Sequence, residues 1–127
     1  MTFSFKPDRE LIVVSTRITG PRGTTVVRLA LDTGATTTTI NWDPILFVGY
    51  DPAKSPDRVE VSTASGIEFS PFLLIQQIEA LGRTEPNLRV LCHTLPPSTT
   101  VDGLLGLNFF RDSRLTIDFR MGTISVE

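Results

Sequence analysis

Leu29-Ala30-Leu31-Asp32-Thr33-Gly34-Ala35-Thr36 is the stretch whose reading decides the fold. An apolar run delivers a single carboxylate to a tight turn. An acid, a hydroxyl and a residue without a side chain then follow in succession. Taken alone, Asp-x-Gly is ordinary turn chemistry. Its weight comes from the flanks. Before it stands an apolar strand, and after it a β-branched run from Thr36 through Thr39 to Ile40.

Working outward, Glu10 to Ile18 and Thr24 to Leu31 read as two strands joined by Gly20-Pro21-Arg22-Gly23, a link short enough for a hairpin. Thr36 to Ile40 continues as a third strand. Asn41 is placed to cap a short helix carrying Trp42, Ile45, Leu46 and Val48, with Pro44 tolerated in its first turn. Gly49-Tyr50-Asp51-Pro52 ends it, and Ala53 to Pro56 is polar connection. Arg58 to Ser62 alternates, with Val59 and Val61 on one face. Thr63-Ala64-Ser65-Gly66 is a small-residue tip, and Ile67 to Ile75 returns as a strand. Gln76 to Leu81 extends it, closed by Gly82 and a loop at Thr84-Glu85-Pro86-Asn87. Leu88 to Thr94 is a further strand and Pro96-Pro97-Ser98 a break. Val101 to Gly106 is a buried run bounded by glycines, Leu107 to Ser113 a turn or two of helix, and Arg114 to Phe119 alternates before Gly122 turns the chain into Thr123 to Val126, a terminal hairpin. About eight short strands and two short helices specify an all-β class with a closed, barrel-like core. The two glycine-bearing runs, Leu29 to Ile40 and Val101 to Phe110, echo one another. Related halves of this kind bring their turns to a common centre.

The totals narrow the function. At 127 residues, 40% apolar, the chain has the size of one domain spanning 1–127, with 1–9 as an N-terminal extension or interface segment. Twelve basic against fourteen acidic residues, a net charge of −2, leave no footprint for nucleic acid and no basic face for a membrane surface. A single histidine, His93, and a single cysteine, Cys92, cannot build a four-ligand zinc site, so neither metal nor cofactor is expected. One cysteine forms no internal disulfide, and no apolar signal region or membrane span is evident. The expectation is a reducing, cytoplasmic setting.

Three pieces of the order carry a resemblance: Asp32-Thr33-Gly34-Ala35, the tip Thr63-Ala64-Ser65-Gly66, and Leu104-Leu105-Gly106 about seventy residues after the first, before a short helix and hairpin. Together they resemble the retropepsins, the single-domain aspartic proteases of retroviruses and their cellular and bacterial relatives. The ending, Leu115 to Phe119 and then Gly122-Thr123-Ile124, is similar to the bacterial single-domain forms. Many viral relatives carry an acid just after the alanine and an arginine just after the second glycine, which pair with each other. Here those positions are Thr36 and Leu107.

The resemblance implies the retropepsin fold with a flap hairpin and an aspartic endopeptidase activity on peptide or protein substrates. One Asp-Thr-Gly per chain implies a homodimer, in which Asp32 of two subunits faces a shared water. Carboxylates about 3 Å apart cannot both ionise, so one keeps its proton. The other takes a proton from water while the protonated partner hydrogen-bonds the scissile carbonyl. Thr33 is implied to lock the two turns across the dyad, and Gly34 to leave room for substrate. Ala35 and Thr36 line the floor, and the tip residues Thr63, Ala64, Ser65 and Gly66 close over an extended peptide. Thr123 to Glu127 is the first candidate for an isologous interface and the N-terminal segment the second.

Competing readings concern the remaining polar groups. His93 beside Cys92 suggests a thiol and its base, but neighbours on a strand point to opposite faces. Asp102 and Asp118 are acids near strand ends without an Asp-Thr/Ser-Gly setting, which assigns them to turns or surface. Trp42, Phe109 and Phe110 read as core. The alternative function is a catalytically silent module of the same fold that grips extended peptides or mediates assembly, since a fold does not fix an activity.

Overall fold

The hairpin expected at Gly20-Pro21-Arg22-Gly23 forms with Gly20 opposite Gly23 in the computed structural model, which describes residues 1–63, 66–96 and 98–127. Ten strands are present among the described residues: β1 (Thr2–Ser4), β2 (Val13–Gly20), β3 (Gly23–Leu31), β4 (Thr38–Ile40), β5 (Arg58–Thr63), β6 (Gly66–Ala80), β7 (Arg83–Cys92), β8 (Gly103–Leu105), β9 (Leu115–Asp118) and β10 (Thr123–Val126). A helix α1 (Trp42–Phe47) and 3-10 turns at Pro52–Lys54 and Leu107–Phe110 complete the set. The order β2-β3-β8-β4-β7-β6 closes on itself through a β2–β6 pairing, a mixed barrel of six strands with β5 added outside β6. A second sheet, β1-β10-β9, is separate.

The chain buries its alternating residues inside this barrel. Ile18, Leu29, Ile40, Ile75, Ile78, Val90, Leu105 and Phe109 are fully buried, and Ile45 and Val48 of the α1 segment join them. Each such side chain contributes about 1.5–3 kcal/mol relative to exposure. Phe109 and Phe110 meet edge to face at 5.1 Å, and half-buried Trp42 packs against the same cluster, so all three aromatics are core as expected.

Several local expectations change. Thr84-Glu85-Pro86-Asn87 is not a loop: Thr84, Glu85 and Pro86 pair with Glu79, Ile78 and Gln77, and only Leu81-Gly82 turns the chain. Pro86 is tolerated because β4 pairs with β7 only at its far end, Val90 to Cys92. The pair Gln76–Asn87 is missing from the ladder, and Asn87 adopts φ 51, a left-handed conformation that Asn accepts more readily than most residues. At this point the inward residues of β6 switch from Ile75 to Ile78 and Ala80. Asn41 starts α1 but does not cap it, because its Oδ1 accepts from Leu95 N–H at 2.8 Å instead. The segment after Gly106 is a single 3-10 turn rather than an α-helix reaching Ser113. The N-terminus is not a bare extension, since β1 pairs with β10 from Thr2↔Ser125 to Ser4↔Thr123. The first long strand begins at Val13 rather than Glu10, and β7 ends at Cys92 rather than Thr94.

Candidate active site

Asp32 stands one residue beyond the end of β3, where the barrel interior gives out. β8 lies parallel to β3 on one side, with Leu31 opposite Leu105, and antiparallel to β4 on the other. The chain therefore passes down β3, turns at Asp32-Thr33-Gly34, and comes back as β4 around the inserted β8. Gly103 is required for this insertion, because a Cβ there would collide with Thr39 O. The two glycine turns do meet, as the internal echo implied. A Cβ on Gly106 would stand 2.8 Å from Ala35 O.

The turn is held by backbone on both sides. Asp32 N–H donates to Leu105 O at 3.0 Å and Ala35 N–H to Asp32 O at 3.2 Å. Beyond the turn, Leu107 N–H donates to Ala35 O at 2.8 Å and Asn108 N–H to Thr36 O at 3.2 Å. The half-buried Asp32 carboxylate accepts from Gly34 N–H through Oδ1 at 2.9 Å. Among the described residues it has no salt bridge, so its charge is oriented without being neutralised. A Cβ on Gly34 would lie 3.2 Å from that same oxygen, a contact tight enough to disturb it.

The expected site residues divide into three groups. Asp32, Thr33, Gly34, Ala35 and Thr36 form one continuous turn, with Thr33, Gly34 and Thr36 exposed. The Thr33 hydroxyl has no hydrogen-bond partner among the described residues. Thr63 ends β5 opposite Gly66, the first residue of β6, in the antiparallel pair expected as the flap. Ala64 and Ser65 lie outside the described residues, as does Pro97 of the predicted break. Neither of the other acids joins the turn. Asp102 precedes β8 at the end away from Asp32, and its Oδ2 accepts from Arg28 N–H at 2.8 Å. Asp118 Oδ1 accepts from Met121 N–H at 2.9 Å in the last hairpin turn. No cluster of metal-ligating side chains occurs among the described residues.

Cys92 and His93 face apart, as the strand geometry requires. Cys92 is fully buried, and burial pushes its thiol up to about 12, which removes it as a nucleophile near neutral pH. His93 Nδ1 is hydrogen-bonded to Ser70 Oγ at 2.8 Å and stands 4.0 Å from Glu68 Oε2. Both partners sit on the part of β6 that pairs with β5 rather than β7.

Sequence reasoning missed two participants, Thr38 and Asn108. Thr38 donates its N–H and its hydroxyl to Asn108 Oδ1, each at 2.8 Å, and its Oγ1 accepts from Gly106 N–H at 3.1 Å. Asn108 Nδ2 donates to Arg89 O at 2.6 Å. The available signal was a lone amide two residues past Gly106 among Leu and Phe.

The architecture to be matched with known proteins is thus a one-acid turn at the end of β3, with β8 inserted between β3 and β4. The profile of the family described as gag-polyprotein putative aspartyl protease matches residues 18–112, and the chain belongs to that family. Among solved structures it is similar to a retropepsin-like aspartic protease from Rickettsia conorii, with a TM-score of 0.69 and 13% identity over 99% of this chain and 87% of that one. That likeness is one of fold: a mostly β, retropepsin-like architecture. No curated protein sequence matches the chain significantly. Among the described residues, no helix is long and apolar enough to cross a membrane.

Proposed function

We propose that the protein is a homodimeric aspartic endopeptidase in which Asp32 of each subunit flanks one catalytic water. The observation that carries this reading is the Asp32 carboxylate itself. It is half-exposed at the mouth of the barrel, oriented by Gly34 N–H, and free of any cation. A second acid in the same chain is not at hand, because Asp102 and Asp118 are engaged elsewhere. A twofold axis supplies the missing one. The two carboxylates then share a proton. The ionised oxygen draws a proton from water as the water attacks the peptide carbonyl, and the shared proton stabilises the developing oxyanion. Collapse of the tetrahedral intermediate delivers a proton to the leaving nitrogen.

Thr33, Gly34, Ala35 and Thr36 face the substrate side. The exposed Thr33 hydroxyl is free to bond its counterpart across the axis. The flap hairpin β5–β6, with tip residues Thr63, Ala64, Ser65 and Gly66, closes over an extended peptide. Among the described residues both backbone edges of β10 are paired, with β1 and β9, which leaves β1 and β9 as the outer strands of that sheet. The N-terminal strand thus becomes the better interface candidate than Thr123 to Glu127.

The test is cleavage of a mixed peptide pool at mildly acidic pH by wild type and by Asp32→Asn, over a range of protein concentrations. Cleavage per subunit should rise with concentration in step with dimer formation followed by sedimentation, and should vanish in the variant. Cleavage surviving in a contamination-free Asp32→Asn preparation defeats the proposal. So does a species that stays monomeric at every concentration, with and without peptide.

A further inference from the structure

We infer that Asn108 is the positioning residue of the aspartyl turn: its amide fixes the segment that carries Asp32 to the rest of the barrel. Asn108 sits in the 3-10 turn after Gly106, outside the Asp-Thr-Gly sequence. Its side chain nevertheless uses both ends. Oδ1 accepts the N–H and the hydroxyl of Thr38, and Nδ2 donates to Arg89 O on β7. Its own N–H donates to Thr36 O, and Thr38 Oγ1 in turn receives Gly106 N–H. One amide therefore ties together the exit of the aspartyl turn, the second glycine turn and the neighbouring strand.

The geometry makes Asn108 more than a packing residue. The entry to the turn is fixed by Asp32 N–H to Leu105 O, a backbone bond that any sequence would make. Among the side-chain bonds of the described residues, those centred on Thr38, to Asn108 Oδ1 and from Gly106 N–H, are the ones that tie the exit to the second glycine turn. Thr38 is fully buried, so its hydroxyl cannot exchange that partner for water. The exposed side chains of Thr36 and Leu107 add no polar bond there. With the amide removed, the Thr38 N–H and hydroxyl both lose their acceptor, and the segment keeps its main-chain bonds, the Gly106 N–H bond to Thr38 Oγ1 and the Thr39 hydroxyl bond to Thr37 O. The Gly34 N–H that orients Asp32 Oδ1 is then free to drift.

This inference rests on the protease reading only where cleavage is the readout, and a second readout stands apart from it. The Gly34 amide proton reports the Asp32 carboxylate directly, because it donates to Oδ1. In an NMR titration of wild type, Gly34 should follow the ionisation of Asp32. Folded Asn108→Ala should show that response lost or strongly reduced. Its kcat should fall about 10²-fold, the scale of an ångström-sized misplacement, with KM little changed. Thr38→Val should reproduce both effects, and Thr38→Ser, which keeps the hydroxyl, should restore them. If Asn108→Ala does not fold, the Val against Ser comparison at Thr38 decides by the same criteria. A Gly34 response in the broken variants equal to that of wild type overturns the inference, whatever cleavage does. A wild type that cleaves nothing defeats the protease reading but leaves the Gly34 readout to judge Asn108.

Discussion

The segment around Asp32, the proposed floor, and the β5–β6 hairpin, the expected flap, are attached to the barrel in opposite ways. The floor, Asp32 to Thr38 with Gly106 to Asn108, is cross-braced by bonds between residues some seventy positions apart, and its anchor Thr38 is fully buried. The flap, β5 and the first half of β6, is a two-stranded ribbon beyond the barrel. Ile67 and Phe69 on it are 61% and 66% exposed, so one face covers nothing within this chain. Its polar fastening to the body is at the base, through Ser70 and His93, with Ser55 Oγ donating to Phe72 O at 2.6 Å just beyond. Under the proposed function, a cross-braced floor and a more exposed hairpin suit a reaction that fixes its carboxylates closely while a peptide enters and leaves.

Substitutions can break or sharpen this contrast. The largest effect is expected at the floor's acid: Asp32→Asn should lower peptide cleavage by about 10²–10⁴-fold or more while thermal unfolding stays close to wild type. An equal loss from Phe69→Ala would erase the distinction between chemistry and cover. Stability should separate the regions next. Thr38→Val leaves Gly106 N–H without its acceptor and should cost about 1–3 kcal/mol in denaturant unfolding. Phe69→Ala on the exposed flap face should stay within about 0.5 kcal/mol. His93→Gln probes the hinge alone. Loss of the bond to Ser70 is worth about 0.5–1.5 kcal/mol, and hydrogen exchange should quicken through β5 and the outer half of β6 but not at Thr38 or Gly106. Exchange that quickens equally in both places would mean the two regions open as one unit. The effect that is absent at neutral pH concerns Cys92, whose buried thiol titrates higher in the folded chain than unfolded. Its contribution to stability is full below the unfolded value near 9 and is lost as pH rises from there toward about 12. Stability should therefore decline in that alkaline window, more in wild type than in Cys92→Ala. A thiol reagent at neutral pH should label native protein only as fast as it unfolds.

Much of the fold was legible because its signals are local. Alternation at Val59 and Val61, β-branched runs at Thr24 to Leu31, and the Gly20–Gly23 turn each encode a strand or hairpin within a few residues. The errors fell where a distant partner overrules a local preference. Pro86 and Asn87 carry turn chemistry, yet Pro86 pairs with Gln77 in the β6 ladder, and Asn87, left unpaired in a left-handed conformation, marks the change of inward face. Asn41 is a good cap by type, but Leu95 N–H arrives from across the fold and takes its oxygen. Thr2 to Ser4 has too little pattern to be read as a strand and becomes one because β10 offers an edge.

By itself the sequence singled out Asp32 as the candidate acid, carried one Asp-Thr-Gly in its 127 residues, and marked the flanks as strands. These depend on residue type and on period-two alternation, which are written in neighbouring positions. Only the tertiary structure decided what holds that acid in place. The bonds from Thr38 to Asn108, and from Asn108 to Arg89, exist because β8 inserts between β3 and β4 in one register. A side-chain bond across such a register depends on angstrom-scale placement of strands far apart in the chain, and no local pattern encodes that placement.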